Sequence, residues 1–532
     1  MRNSHTFIFF IATMLAVVTA CGKKNTTEVA IVPPPGADTV VLKKGVLHQK
    51  GAALTALCVI PASSLTAEQK VLIATLQGVV AKTSGEQIYI DEGGASSVWK
   101  NYLSEKYKIR ITNYTSWAEL LRHFAPKVSG YVLYNRTKNI RSLTAANSLC
   151  GPMNAIAVDA SLETAVITAG IKIKKADMRA RDEKWVWEHY PATFSRSLAA
   201  EQNPAIDHHL RDYITLTNAF TFYDGETPWR ADVLKALQPE AFCFGYGKEE
   251  FSMVANAAAA GVVMLPTDLA ANLAPLSSVY DEAPLKQQGR TTPAAEQNVH
   301  YVTFLLSDGD NVGYDLWSMQ QYFSHPLRGT FNMGYTISPS LVDLAPAAMR
   351  WYYEKAANTD KGRDFFVAGP SGSGYTFPSK MPAAALDQYV QRLNTFMAKS
   401  DLNIVNILDQ GALERMDLWD KYLAQPNIDA LLYTGYGEAP GGSIRFSANG
   451  KPVIEAGDNL WAGLEEEATV ISNINARPAD PYGRSGYTLV FVHTWTKDMS
   501  AISTVIAGLN KNVRVVTPDA FVQLVRKNLG TK

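Results

Sequence analysis

The feature that most constrains the fold of this 532-residue chain is a regular alternation of apolar strand-like and amphipathic helix-like segments from His300 onward. Helix-like segments, for example at residues 346–357, 383–398 and 499–509, separate many of the strand-like ones. The strand-like segments are 302–306, 332–337, 365–368, 404–408, 430–433, 452–454, 488–492 and 513–516. Because helical crossovers bring successive strands into one parallel sheet, the pattern predicts a (β/α) barrel of seven or eight strands over residues 296–532.

The part of the chain before the predicted barrel has a different sequence pattern. Residues 51–290 alternate short apolar runs with helical stretches, which predicts an N-terminal α/β region of two or three small Rossmann-like subdomains. These segments carry no GxGxxG motif and no Walker lysine motif, so no nucleotide is assigned to them. Residues 281–297 are rich in Gln, Pro and small side chains and are the predicted linker between the two halves.

The N-terminus has the features of an export signal. Residues 1–20 combine an early Arg2 with an apolar core, and Val18-Thr-Ala-Cys21 resembles a bacterial lipobox. Cleavage before Cys21 and acylation of this residue would anchor the chain to a membrane through lipid, and residues 21–50 would form a flexible tether. The expected location is the cell envelope, as a periplasmic, outer-membrane or cell-surface lipoprotein.

Composition narrows the range of partners. Lys plus Arg and Asp plus Glu each number 50, so the whole chain gives no electrostatic reason to expect a nucleic acid, and a neutral partner fits better. Beyond Cys21 the cysteines are Cys58, Cys150 and Cys243, without a CxxC motif or a Cys/His cluster. This pattern favours buried free thiols over disulfides or a structural zinc site, and no cofactor is predicted.

Acidic side chains follow several of the predicted barrel strands. The active sites of such barrels collect at the carboxyl ends of the strands, where one carboxylic acid and one carboxylate suffice for glycoside cleavage. The candidate catalytic residues are Asp308, Asp310, Asp409 and Glu438. The predicted pair is Asp308 or Asp310 with Asp409 or Glu438. The alternatives are a capped turn or divalent-metal ligands for the Asp308 turn, a helix N-cap for Asp409 and a solvated loop for Glu438.

Glycine-rich and aromatic loops accompany these acids. In Ser371-Gly-Ser-Gly-Tyr-Thr-Phe-Pro378, glycines permit close backbone approach and two rings offer flat apolar faces, although an ordinary strand-to-helix loop with core-capping aromatics has the same composition. His493 could hydrogen-bond a hydroxyl or tune a carboxylate, or be a satisfied structural histidine. The candidate substrate-binding residues are Asn311, Gly372, Gly374, Tyr375, Phe377, Tyr436, His493 and Trp495.

The glycine-rich loop also carries a resemblance to a known family. Gly372-Ser-Gly-Tyr375-Thr-Phe377-Pro378 resembles the signature of the GxGYxYP family, which is associated with glycoside hydrolysis in Bacteroidetes, and Leu306-Ser-Asp308-Gly-Asp310-Asn311 is similar to the acidic strand end of that family. Phe377 departs from the signature, since a phenylalanine stands where the family has its second tyrosine. The resemblance implies carbohydrate chemistry on a C-terminal barrel behind an N-terminal region.

Two other functions share the same acidic turn. Ser-Asp-Gly-Asp after an apolar strand is loosely similar to the motif of polysaccharide deacetylases, so the predicted barrel is TIM-like or deacetylase-like. The chain lacks the accompanying His-x-x-x-His motif, and the barrel half contains only His300, His325 and His493. A glycan-binding lipoprotein without turnover is a further alternative. The preferred prediction is a glycoside hydrolase that acts on a neutral poly- or oligosaccharide, ahead of a metal-dependent deacetylase or a non-catalytic binder.

Overall fold

A computed structural model of the protein describes residues 47–223, 228–288, 290 and 294–530. The predicted signal peptide, the lipidation site Cys21 and almost all of the tether lie outside these residues. No helix within the described ranges has the length and apolar character needed to cross a bilayer. Cys58, Cys150 and Cys243 are buried free thiols, as predicted.

Three small parallel sheets precede the barrel, and helices pack between them. Sheet 1 has the strand order β2-β1-β3, sheet 2 the order β5-β4-β6 and sheet 3 the order β10-β9-β7-β8. The strands are β1 (Ala56–Pro61), β2 (Glu86–Asp91), β3 (Arg110–Asn113), β4 (Gly130–Tyr134), β5 (Ala155–Asp159), β6 (Lys174–Asp177), β7 (Leu198–Glu201), β8 (Phe220–Phe222), β9 (Phe242–Gly245) and β10 (Val263–Leu265).

Side-chain caps begin four of the helices of this half. Thr66 forms a capping box with Gln69 at the start of the first helix, and Ser116 and Asp182 cap two later ones. The helices are α1 (Ala67–Ala81), α2 (Gly94–Tyr107), α3 (Trp117–Phe124), α4 (Arg141–Cys150), α5 (Glu163–Thr168), α6 (Glu183–His189), α7 (Arg211–Thr217), α8 (Pro228–Lys235), α9 (Glu250–Ala259) and α10 (Leu273–Ser277).

The C-terminal half is a closed parallel barrel of seven strands, which confirms the predicted fold. The closed order is β12-β13-β14-β15-β17-β18-β11, and β11 pairs back to β12. Two further strands lie outside the closure: β16 is antiparallel to β17, and β19 pairs with β11. The strands are β11 (His300–Ser307), β12 (Met333–Ile337), β13 (Asp364–Ala368), β14 (Ile404–Asp409), β15 (Ala430–Gly435), β16 (Ile444–Phe446), β17 (Pro452–Leu460), β18 (Tyr487–His493) and β19 (Val513–Val515).

Helices surround the barrel and pack against its outer face. Successive side chains of β11 point to opposite sides of the barrel wall. Tyr301 and Leu305 belong to one apolar cluster with α18. Val302, Phe304 and Leu306 pack with the surrounding helices. The helices of this half are α11 (Asn311–Trp317), α12 (Leu341–Leu344), α13 (Pro346–Lys355), α14 (Ala383–Ser400), α15 (Met416–Leu423), α16 (Glu467–Ala476), α17 (Met499–Ala507) and α18 (Pro518–Leu529).

Sheet 1 and sheet 3 are joined by close helix packing and by buried hydrogen bonds. Gly78 of α1 faces α7, and a Cβ atom at this position would overlap the carbonyl oxygen of Asp212 and the Cβ of Thr215. Asn272 accepts from the backbone N–H of Ile90 at 2.8 Å and donates to the carbonyl of the same residue at 2.9 Å, so it extends the edge of β2. These contacts fix the position of sheet 3, on which the site described below depends.

Replacement of Gly78 by alanine tests this close approach. Helix propensity alone would make Gly78→Ala stabilising by about 1 kcal/mol. Because the added methyl group meets the backbone of α7, we expect instead a loss of about 1–3 kcal/mol in the free energy of unfolding, measured by urea denaturation. Lys70→Ala, on a partly exposed position of the same helix, is the control, with an expected change within about 0.5 kcal/mol. A stabilised Gly78→Ala protein would show that the two helices are not in tight contact.

Candidate active site at the barrel mouth

The acidic turn Asp308–Asn311 lies directly after β11, at the carboxyl end of the barrel. Asp308 accepts a hydrogen bond from the backbone N–H of Gly309. Asn311 is buried, and its side-chain amide donates to the carbonyl of Gly369, which ties the turn to the loop that follows β13. Within the described part of the chain, the Asp310 carboxyl has no hydrogen-bond partner, so this carboxyl is available to a ligand.

His493, the last residue of β18, holds Asp308 from the adjacent strand. Its Nε2 lies 3.1 Å from Oδ2 of Asp308, and its Nδ1 lies 2.9 Å from Oγ1 of Thr496. The imidazole stacks on Trp461 with ring centroids 3.6 Å apart and an angle of 2° between the planes. Contacts on three sides fix the orientation of this ring, so His493 positions the Asp308 carboxylate. Of the three histidines in the barrel half, His493 is the one beside the acidic turn.

The glycine-rich loop after β13 is buried, and it joins the barrel to sheet 3. Tyr375 forms an antiparallel bridge with Met264 of β10, with backbone hydrogen bonds of 2.8 and 3.1 Å. Gly374 makes this approach possible, because a Cβ there would lie 2.6 Å from a methyl of Val263. Gly372 has φ of +125°, a conformation that glycine adopts without strain. The loop therefore adds one strand segment to the edge of sheet 3.

Tyr375 connects the acidic turn with a carboxylate from sheet 3. Its ring lies against Gly309, where any Cβ would overlap the aromatic carbons. Its hydroxyl donates to Oε1 of Glu250 at 2.7 Å. The side chains of Tyr375 and Phe377 are 0% exposed, so neither ring has a free face for a sugar. The prediction of sugar-facing rings in this loop does not fit this geometry, because the rings are used to join two parts of the protein.

Glu250 is a candidate functional residue that the sequence reasoning missed. It begins α9, and the segment Gly245-Tyr246-Gly247 at the end of β9 has the same glycine and aromatic character as the barrel loops. This pattern indicates a functional loop, but it does not place Glu250 at the barrel mouth, because that position depends on the packing of two domains. Burial raises the pKa of Glu250, the hydrogen bond from Tyr375 opposes the rise, and the charge of Asp308 adds to it.

The electrostatics of the mouth centre on Asp310. Burial raises the pKa of this carboxyl to about 8, and the negative charges of Asp308, Glu250 and Asp268 contribute to the rise. Burial raises the pKa of Tyr246, and the charges of Asp310, Glu250 and Asp308 add to the rise. At neutral pH Asp310 is therefore protonated and can donate a proton.

Asp409 and Glu438 lie at the ends of β14 and β15 and have other partners. Asp409 is buried and accepts from the backbone N–H and hydroxyl of Ser379 at 2.8 and 2.6 Å and from the N–H of Gln410 at 2.7 Å. Glu438 accepts from the N–H of Gly411 at 2.5 Å. Neither carboxylate is among the charges that raise the pKa of Asp310, so the structure groups Asp308 and Asp310 with Glu250 instead. The contacts of Asp409 favour a structural role, in which it holds the end of the glycine-rich loop.

Aromatic side chains form two groups around the acids. The first is internal: Phe377 packs against Phe251 and Tyr436 with ring centroids 5.3 and 5.5 Å apart, and Tyr436 is partly exposed. The second faces solvent: Trp317 is 51% exposed and Trp495 is 42% exposed, with their centroids 6.2 Å apart. Exposed indole pairs offer the flat apolar surface on which sugar rings stack.

The deacetylase alternative requires a metal site at this mouth. Among the described residues, the groups of His, Cys, Asp and Glu that are close enough to share a metal ion are Cys58, Glu86 and His123, and Glu92, His208 and His209. Both groups belong to the N-terminal half and neither includes the acidic turn. The side chains around Asp308 and Asp310 are thus arranged as carboxylates with one histidine and aromatic neighbours.

Comparison with known families gives four matches that together span residues 56–526. The C-terminal match, residues 298–526, is to the "GxGYxYP putative glycoside hydrolase C-terminal domain". The first, second and third GxGYxYP domains match residues 56–126, 128–194 and 196–278. The chain belongs to the GxGYxYP family. The suggested resemblance is confirmed, and in this family's terms Glu250 is supplied by the third domain to the mouth of the C-terminal domain.

A solved structure supports the GxGYxYP assignment over nearly the whole chain. It is a crystal structure of a protein described as a putative hydrolase from Bacteroides thetaiotaomicron VPI-5482. The two proteins are 50% identical with a TM-score of 0.89, and the match covers 94% of this chain and 100% of the other. The comparison with curated proteins found no match.

Removal of one hydroxyl tests the connection between the two parts of the site. Tyr375→Phe leaves the ring in place but takes the hydrogen-bond donor from the buried Glu250. We expect a loss of about 1–3 kcal/mol in the free energy of unfolding, measured by urea denaturation. Tyr482→Phe, at a position where the side chain is 53% exposed, should change it by less than about 0.5 kcal/mol.

A double-mutant cycle with Glu250→Gln separates this interaction from general disruption of the loop. A coupling of at least about 0.5 kcal/mol between the two substitutions is expected, since the side chains touch. Additive effects would mean that the hydroxyl and the carboxylate do not interact.

Proposed function

We propose that the protein hydrolyses glycosidic bonds of a neutral poly- or oligosaccharide at the barrel mouth. The observation that carries this proposal is the group formed by Asp308, Asp310 and Glu250, in which burial and mutual repulsion raise the pKa of one carboxyl to about 8. A protonated acid beside an ionised carboxylate is the pair that glycoside cleavage requires. Family membership and the related hydrolase structure support the same reaction class.

Asp310 is the proposed general acid. Its carboxyl is protonated at neutral pH and has no hydrogen-bond partner among the described residues, so the proton is free for a leaving glycosidic oxygen. Cleavage of the bond between the anomeric carbon and this oxygen places the proton on the departing alcohol and leaves Asp310 ionised. The charges of Asp308 and Glu250 disfavour the ionised form, which makes donation of the proton easier.

Asp308 is the proposed carboxylate that stabilises the positive charge developing at the anomeric carbon. It either attacks this carbon directly or activates a water molecule that does so. The N–H of Gly309 and the imidazole of His493 hold its two oxygens. Fixed orientation of the carboxylate lowers the cost of reaching the transition state. His493 is a positioning residue in this scheme, since it acts through Asp308.

Glu250 has the proposed role of setting the proton affinity of Asp310. Its charge raises the pKa of Asp310, and the hydroxyl of Tyr375 fixes the position of that charge. The solvent-facing indoles of Trp317 and Trp495 are the proposed platform for the sugar chain outside the bond that is cleaved. The equal numbers of acidic and basic residues fit a neutral substrate.

Substitution of the two aspartates is the direct test of this function. With a panel of neutral plant and host glycans, purified wild-type protein should release new reducing ends that are detected by mass analysis. Asp310→Asn and Asp308→Asn should each lower kcat by about 100-fold to 10,000-fold, the range for loss of acid–base groups. Asp409→Asn is the matched buried control and should alter stability more than kcat.

Several outcomes would contradict the proposal. Full activity of Asp310→Asn would remove the assigned acid. Release of acetate that stops on chelation would favour the deacetylase, and tight retention of a glycan without any product would favour a binding protein.

The dependence of activity on pH gives an independent check on Asp310. Its pKa in the folded protein is raised to about 8, so the carboxyl carries its proton below that value and loses it as the pH rises through it. We therefore expect kcat/KM to fall above about pH 8. Glu250→Gln removes one of the charges that raise this pKa, so the alkaline limb should move to lower pH. An unchanged limb in Glu250→Gln would contradict the coupling between the two carboxyls.

The location in the cell envelope is also proposed, on the lipobox-like Val18-Thr-Ala-Cys21. Acylation at Cys21 would place the barrel outside the cytoplasm, where long glycans are accessible. Cys21→Ala should abolish incorporation of a radiolabelled fatty acid and release the protein from the membrane fraction. Labelling that persists in this variant would contradict the assignment.

A further inference from the structure

A cluster of two histidines and one glutamate joins the first and third domains. Glu92 follows β2 in the first domain, and His208 and His209 precede α7 in the third. The Nε2 atoms of His208 and His209 lie 3.0 and 3.1 Å from the same oxygen, Oε1 of Glu92. Atoms that can bind a metal, one from each residue, all lie within 4.8 Å of one another.

His208 has a geometry that protein hydrogen bonds do not explain. Its side chain is only 5% exposed. Among the described residues, Nδ1 of His208 has no hydrogen-bond partner, and Nε2 lies 3.0 Å from Oε1 of Glu92 without the geometry of a hydrogen bond. A buried polar group without a partner costs about 1–3 kcal/mol, so an additional ligand at this point would relieve the cost.

The second cluster of potential ligands in the N-terminal half differs in this respect. His123 is exposed, and its Nε2 lies 2.9 Å from Oε2 of Glu86 in an ordinary hydrogen bond. The contacts of His123 are satisfied without a metal. The same argument does not apply to His208, which makes the Glu92 cluster the stronger candidate.

We propose that Glu92, His208 and His209 form a binding site for a divalent transition-metal cation such as Zn²⁺. Two imidazoles and one carboxylate are a donor set that Zn²⁺ accepts, and with three protein ligands a fourth position stays open. Glu92 also borders a cavity of about 340 Å³ that Gly93, Gly94, Leu269 and Trp317 help to line. A water molecule would complete the coordination.

The surroundings support the two histidines as fixed ligands. The side chain of Gln202 donates to the carbonyls of His209 and Asp268 at 3.0 and 3.1 Å, which anchors the backbone of the histidine segment. Asp207, next to His208, pairs with Arg136 of the second domain at 2.7 Å. These contacts fix the segment that carries the two histidines. The cation would thus clamp the first domain to the third domain.

Zinc titration of the purified, metal-stripped protein tests this site. We expect wild-type protein to bind Zn²⁺ by calorimetry, to be stabilised against thermal unfolding by added Zn²⁺, and to give a visible absorption band with Co²⁺ in its place. His209→Gln and His208→Gln should each weaken binding by about 10-fold or more and remove the shift in Tm. His209 is partly exposed, so His209→Gln keeps the test valid if His208→Gln fails to fold.

His123→Gln is the matched control, because it removes a histidine from the other cluster and should leave the calorimetric affinity and the Co²⁺ band unchanged. Loss of binding in His123→Gln with retention in both other variants would overturn the proposal. So would equal affinity of wild type, His208→Gln and His209→Gln, or the absence of any Zn²⁺ binding by the wild-type protein. The readouts do not involve glycan cleavage, so this inference stands or falls independently of the proposed function.

Discussion

The contact on which the candidate site depends is the attachment of Tyr375 to the third domain. Two backbone hydrogen bonds to Met264 extend a parallel sheet by one antiparallel segment, and the phenol then reaches Glu250 at 2.7 Å. The same ring covers Gly309 between the two aspartates of the acidic turn. One side chain therefore sets the distance between a carboxylate of the third domain and the acids of the barrel. Burial of these groups together is what raises the pKa of Asp310.

Much of the fold follows from local sequence patterns. The barrel is visible in the alternation of strand-like and helix-like segments, because each strand needs a covering helix and the period of the apolar residues changes between them. The number of strands in the closed barrel is harder to predict from the sequence. The segment Val513–Val515 has a strand pattern but pairs with β11 outside the barrel, since β11 already closes the ring through β12 and β18. Closure of the barrel depends on the pairing of all seven strands, so it cannot be predicted from any single segment.

The candidate site was also only partly predictable from the sequence. Asp308, Asp310 and His493 could be placed because they follow predicted strands, and parallel strands bring their carboxyl ends to one edge. Glu250 could not be placed, since its proximity to Asp310 depends on the packing of two domains. The roles of Tyr375 and Asp409 were equally hidden: composition shows an aromatic ring or a carboxylate near a glycine, but burial and partners decide whether it faces a ligand or holds a loop.

The division of the acids between distant segments determines when the site can exist. Synthesis proceeds from the N-terminus, so α9 with Glu250 is complete long before the acidic turn, and His493 is added close to the end of the chain. An N-terminal fragment that ends before β11 contains Glu250 without Asp308, Asp310 or Tyr375. The candidate site is thus assembled only when the last part of the chain has been made, even if the early domains have already folded.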